Sequence, residues 1–248
     1  MPLHRIVEDY SNQAPRCRSK EELFSLSEAA ARDLGFDRLA IVQGLWFRYP
    51  DLRLIRMDNW GDYAELFIRR KYFRHDPALL SCQRINTAFP WPMTRKLIRY
   101  SRHQEEIIKE AVRHGLRIGF TLPVGVTGEP PGCCSFVTSR SELPSTWHCR
   151  AAAIIGAEFF REARRLHGFP SRAPQVSNIS VRKLEILRLL ALGMTDAGIA
   201  TKLRIKPSTV DTYMKELRLA FDVHSRAQLI ATALRYGLIA FEDSMSGY

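Results

Sequence analysis

The segment 167–178, HGFPSRAPQVSN, sets the first limit on the fold. It holds two prolines, a glycine and two serines, with few apolar side chains. Such a composition suits a linker between domains rather than part of a packed core. It divides the 248 residues into a domain at 1–166 and a smaller one at 179–241. The apolar share is 46% and the charged share 25%, so each part has the makings of a core and neither reads as disordered. No internal repeat or low-complexity tract competes with this division.

In the first part, Ser19 and Glu22 make a capping-box pattern, and Leu23, Leu26, Ala30 and Leu34 recur at helical spacing up to Gly35. Strands follow at 38–47 and 52–58 around the turn RYPD. Helices are expected at 61–73 and 76–82, the second opened by Asp76 as N-cap and Pro77 at the first helical position. A helix at 103–115, strands at 117–126 and 132–139, and a long helix at 145–166 complete the order. Short strand connections imply an antiparallel sheet with helices on its faces, an α/β/α sandwich within an α+β chain. Cys133 and Cys134 are neighbours on a strand and so point to opposite faces. The five cysteines are odd in number and irregular in spacing, which favours buried thiols in a reducing compartment over disulfides or a metal site.

The second part reads as an all-α unit of four short helices. The first, at 180–193, should bury Val181, Leu184, Leu187 and Leu190/Ala191, and it ends at Gly193. The second, at 195–203, should bury Ile199, Ala200 and Leu203. The third, at 206–221, should bury Val210, Met214, Leu217 and Phe221, and the fourth spans 225–237. At about 100° per residue, Ser208, Asp211, Thr212 and Lys215 lie opposite the buried stripe of the third helix. A helix of this width fits the DNA major groove, and the second helix of a helix–turn–helix offers its N-terminal residues to base edges. The pair would occupy about 196–215. Ser208 and Thr209 sit where free N–H groups favour a phosphate. Lys202, Arg204, Lys206 and Arg218 flank the pair and suit backbone contacts. A small helical bundle with a solvated polar face fits the same pattern.

The stretch 185–239 resembles the LuxR-type helix–turn–helix domain, through Leu187, Gly193, Ile199-Ala200, Thr209-Val210 and the closing YGLI. That resemblance implies DNA binding, usually as a dimer. Two positions depart from it. Lys183 and Gly198 stand where the family carries glutamates, and each loses half of a capping box. Lys183 also places positive charge at a helix N-terminus, a penalty of about 0.3–1 kcal/mol, so a glutamate there is expected to stabilise the domain.

The stretch 59–92, NWGDYAELFIRRKYFRHDPALLSCQRINTAFPWP, resembles the autoinducer-binding domain of quorum-sensing LuxR regulators, with Asp76-Pro77 and Trp91 at the family's spacing and Gly119 and Ser135 also matching. The resemblance implies a pocket lined by Asn59, Tyr63, Phe67, Asp76, Trp91 and Ser135. In the family a Trp donates to a lactone carbonyl, the Asp accepts from the ligand amide and a Tyr supports the amide carbonyl. Tyr63 stands in place of that Trp and Phe67 in place of that Tyr. Tyr63 still donates; Phe67 does not. Trp91 would supply an apolar wall.

The expected function is a ligand-responsive transcriptional regulator of quorum-sensing type. Its partners would be double-stranded DNA, a second copy of itself and an acyl-homoserine-lactone-like effector, with no other cofactor. The alternative is an orphan regulator or anti-activator that works through a different ligand or by heterodimerisation. Nothing marks an enzyme: there is no Gly-x-Ser-x-Gly, no His-Glu-x-x-His, no phosphate loop and no clustered His/Cys set for catalysis or a metal. The acidic residues and lysine of a phospho-receiver are missing as well. The net charge of +11 is shared by both parts and fits an anionic partner without marking where it binds. Basic runs at 69–74 and 95–103 read as solvated faces. No apolar run approaches the roughly 20 residues of a membrane span, and no secretory signal opens the chain, so the expected location is the cytoplasm.

Overall fold

The computed structural model describes residues 1–44, 54–126, 129–169 and 179–244. These form two compact units, parted between Phe169 and Ile179. The distal ends of the expected first strand pair, the RYPD turn and most of the expected linker lie outside the described residues.

The first unit runs α1 (Leu3–Gln13), α2 (Lys20–Asp33), β1 (Arg38–Gln43), β2 (Ile55–Asp58), α3 (Asp62–Arg69), α4 (Pro77–Cys82), β3 (Phe89–Pro90), α5 (Thr94–Leu97), α6 (Arg102–Arg113), β4 (Ile118–Val124), β5 (Gly132–Thr138) and α7 (Thr146–Leu166). Local chemistry explains several boundaries. The Ser19 hydroxyl accepts from the Glu22 N–H at 3.1 Å and opens α2. Asp76 caps α4, accepting from the Leu79 N–H at 2.9 Å, with Pro77 at the first helical position. Ser101 and Gln104 form a complete capping box at α6. The helix expected over 61–73 stops at Arg69 because Lys71 turns left-handed, at φ 55°, and a 3₁₀ turn follows.

The five strands lie in the order β2-β1-β5-β4-β3, every neighbouring pair antiparallel. Every residue of β5 is buried, as a central strand covered on both faces must be. One face carries Leu39, Ile41, Cys134 and Phe136 against α1, α2 and α7, centred on Ile155 and Phe159. The other carries Cys133 and Val137 against Tyr63, Phe67, Leu79 and Ile107 from α3, α4 and α6. Cys133 and Cys134 thus face opposite layers, and the unit is the expected sandwich. Helix α1 was not expected. Its sequence is mostly polar, and Ile6 and Tyr10 are its buried residues, with the Tyr10 hydroxyl 2.8 Å from Ser27 Oγ. Strand β3, two residues at a sheet edge, was also too short to show in the sequence.

The second unit is all-α, with α8 (Val181–Ala191), α9 (Asp196–Leu203), α10 (Pro207–Phe221) and α11 (Arg226–Arg235). Ser180, Thr195 and Ser225 each cap a helix through the side-chain oxygen. The core is Leu187, Leu190, Ile199, Ala200, Val210, Met214, Leu217, Leu229 and Ala233, with Ile186 among them. Phe221 is partly buried and stacks on Tyr236. Val181 departs from its expected place and is 75% exposed. It occupies the first position of α8, ahead of the turn that meets the other helices.

Candidate ligand cavity and nucleic-acid interface

A cavity of about 290 Å³ lies between the sheet and the layer of α3, α4 and α6, near the lower end of the range common for small-molecule sites. The sheet contributes Ala40, Val42, Cys133 and Ser135 as floor. The helix layer contributes Trp60, Tyr63, Phe67, Asp76, Leu79 and Ile107 among its walls. Five of the six residues expected at the pocket, Tyr63, Phe67, Asp76, Trp91 and Ser135, therefore meet around one space.

Asn59 does not line it. Its Oδ1 accepts the Leu39 N–H at 2.7 Å and its Nδ2 donates to Glu28 Oε1 at 2.7 Å. The side chain pins the end of β2 to the start of β1 and to α2, which uses up its hydrogen-bonding capacity on the fold. The next residue, Trp60, takes the place on the cavity wall. Its Nε1 is shut off from solvent and finds no acceptor among the described residues. An aromatic residue one step from an expected pocket position was the only hint in the sequence.

The polar groups of the cavity divide into engaged and free. Trp91 donates from Nε1 to Thr121 Oγ1 at 2.9 Å, and Thr121 lies 2.9 Å from Ser135 Oγ. The indole of Trp91 is thereby held as a wall, with its N–H already used. Gly119 is the reason it fits: a Cβ at that position would run into the Trp91 ring. Arg56 pairs with Asp58 at 2.9 Å, and Arg95 pairs with Glu105 at 2.8 Å while lying 4.4 Å over the Tyr100 ring. Tyr63 is 2% exposed, and burial raises its phenol far above the usual range, so it stays protonated. Asp76 is pushed up to about 6 by burial, against the opposing pull of the Leu79 and Ala78 N–H groups. It is an acceptor poised near neutrality, and desolvation is what places it there.

In the second unit, α9 and α10 form the helix–turn–helix. Its turn passes through Arg204, held left-handed at φ 52°. Ser208, Asp211, Thr212 and Lys215 are all exposed on α10, as expected, and so are Lys202, Arg204 and Lys206 around it. Thr209 and Arg218 are half-buried, and the Arg218 Nε has no acceptor among the described residues. Two contacts on this face were not foreseen. Lys215 Nζ is 2.8 Å from Asp211 Oδ2, and Thr212 Oγ1 donates to the Ser208 carbonyl at 3.0 Å. Lys183 also has a partner: its Nζ lies 2.9 Å from Glu216 Oε2 on α10. The penalty expected of this lysine is offset by a tie between α8 and α10. A glutamate at 183 would complete a capping box but stand against Glu216, which removes the expected stabilisation.

Comparison with known proteins agrees with both halves. Residues 19–163 match the family described as "Autoinducer binding domain", and residues 177–233 match "Bacterial regulatory proteins, luxR family". The transcriptional activator protein TraR of Agrobacterium vitis is 24% identical over 188 residues, which cover 75% of this chain and 80% of TraR. The crystal structure of Escherichia coli SdiA superposes with a TM-score of 0.64 at 20% identity, covering 96% of this chain and all of SdiA. SdiA in complex with octanoyl-rac-glycerol gives 0.62 at 20% identity, covering 95% of this chain and 96% of SdiA.

Proposed function

Because the chain belongs to the LuxR family, with an autoinducer-binding domain ahead of a LuxR-type DNA-binding domain, we propose that its cavity takes an N-acyl-homoserine lactone or a close acyl relative. The protein is a ligand-responsive transcriptional regulator of quorum-sensing type. The observation that carries the lactone reading is Asp76. It is a buried carboxylate in a mostly apolar space, and burial leaves it eager for a donor such as a ligand amide N–H.

Ligand entry fills the space between the sheet and α3, α4 and α6, and so stabilises the sensor unit by mass action. Two copies then present two α10 helices to a symmetric site, with half-sites about one helical turn apart. The protein works in the cytoplasm, where its DNA partner lies.

A thermal-shift series with acyl-homoserine lactones of increasing chain length tests the ligand. One range of lengths should raise Tm, by an amount that corresponds to about 2.7 kcal/mol at a hundredfold excess over Kd. A gel shift with operator DNA should strengthen with the same compounds. Absence of any shift with every length, while another metabolite binds, would overturn the lactone assignment.

A further inference from the structure

Charge is unevenly spread over the first unit. Residues 69–117, from the end of α3 through α6, hold twelve Lys+Arg and four Asp+Glu. The other residues up to 170 hold fourteen and fifteen. The positive excess of the unit therefore sits in the helix layer over the cavity, and the rest of the unit is close to balanced. Acids within the layer do not offset it. Asp76 is buried on the cavity wall, and Glu105, Glu106 and Glu110 already face Arg95, Arg102 and Arg113. Arg69, Lys71, Arg74, Lys96 and Arg99 are exposed and form no ion pair among the described residues. Lys71 carries its charge in a left-handed turn, at φ 55°, where glycine would sit with less strain. The elements involved touch one another. Arg70, Lys109 and Arg113 share a surface groove with Glu106 and Glu110. Arg95 ties α5 to α6, and Arg84 Nη1 donates to the Leu97 carbonyl at 3.0 Å.

We infer that the outer surface of this helix layer is a second, sequence-independent DNA contact, in which Arg69, Lys71 and Arg74 meet backbone phosphates. A duplex sheds condensed counterions when such cations neutralise its phosphates, and that release drives binding without regard to sequence. The guanidinium fork of Arg69 or Arg74 also matches a phosphate in shape. The α9–α10 reader on the same chain holds a duplex at high local concentration, which favours DNA over other polyanions. A membrane surface is a poorer match. Interfacial binding needs a broad apolar face, and Met93 and Val112 are the exposed large apolar side chains of this layer among the described residues.

The test uses the full-length chain and random-sequence duplex DNA, so it depends on neither an operator nor a ligand. One variant is Arg69→Gln, Lys71→Gln and Arg74→Gln together. A second is Lys96→Gln with Arg99→Gln. The control is Arg5→Gln, Arg16→Gln and Arg18→Gln, which removes three exposed charges from the α1–α2 side. Binding is followed by fluorescence anisotropy at graded salt, with Tm recorded for each protein. Each phosphate contact adds about 0.9 to the slope of log affinity against log salt. The first variant should therefore lose about two to three from the slope and bind about tenfold to a hundredfold more weakly at low salt. The second should lose about one to two, and the control should stay close to wild type.

With the first variant folded, a wild-type slope overturns the inference. An equal loss in the control overturns it too, because net charge alone would then be acting. Should the first variant melt early, the second decides, since its charges lie away from the left-handed turn, and an unchanged slope there is fatal. Vesicles rich in phosphatidylserine serve as the rival polyanion. If they bind wild type more tightly than DNA does and lose the first variant, the surface belongs to a membrane and the DNA assignment falls.

Discussion

At Asp76 a single carboxylate closes a helix and faces an apolar cavity. In the ligand-free protein it keeps its proton up to about 6, against an ordinary value of 3.8. The unfolded chain releases that proton first, so this group's contribution to stability falls as pH rises between those two values and the loss is complete above the higher one. A ligand N–H reverses the preference, because it is satisfied best by the ionised form. Affinity for an acyl-homoserine lactone is therefore expected to rise between about pH 5 and about pH 7. Asp76→Asn should keep the helix cap, bind more weakly and flatten the pH profile. Calorimetric titrations at several pH values check this, and an undiminished slope in the variant would remove Asp76 from the contact. Asp76, Trp91 and Gly119 were legible in the sequence through their resemblance to the autoinducer-binding family, and the structure gives each a physical reason: a cap, a wall and the lack of a Cβ. Asn59 and Trp60 were not. Which of two adjacent side chains turns into a cavity depends on what the other one bonds to, and the partners of Asn59 lie about twenty and thirty residues away.

Helix α10 shows the same limit for a whole element. Its caps, its buried stripe and its exposed face were readable from the 3.6-residue period, yet the pattern says nothing about bonds made along that face. The Asp211–Lys215 pair holds the lysine on the exposed face of α10 itself. Asp211→Ala is expected to release it, so binding to nonspecific DNA should strengthen. Discrimination between operator and random sequence should fall. The slope of log affinity against log salt should steepen by about one. Gel shifts at graded salt would measure both effects, and unchanged discrimination would place Asp211 off the DNA. Thr212 spends its hydroxyl proton on the Ser208 carbonyl, which leaves it an acceptor and a methyl group for a base edge. The α8–α10 tie through Lys183 and Glu216 fixes the recognition helix from behind, a role that no capping rule reveals.

For the molecule as a whole, a sensor and a reader on one chain must obey reciprocity. If ligand tightens operator binding by some factor, saturating operator must tighten ligand binding by the same factor. Coupling of about 5-fold to 150-fold is usual, and titrating ligand with and without operator DNA would measure it. A factor of one would mean that the two units work independently. The division into two units was plain from composition around residue 170, but the sheet order was not. Strand β1 pairs with β5, nearly a hundred residues later in sequence, and no local pattern encodes so distant a match. That order has an evolutionary consequence. Tyr63 and Asp76, the second bonded only to the end of the helix it caps, both belong to the layer over the sheet, while Ser135 on the floor is already bonded to Thr121. Selection can therefore retune which head group is recognised by exchanging residues in one short run of chain, and alter the room left for a tail by resizing Ala40, Val42 or Cys133. The two traits can drift separately.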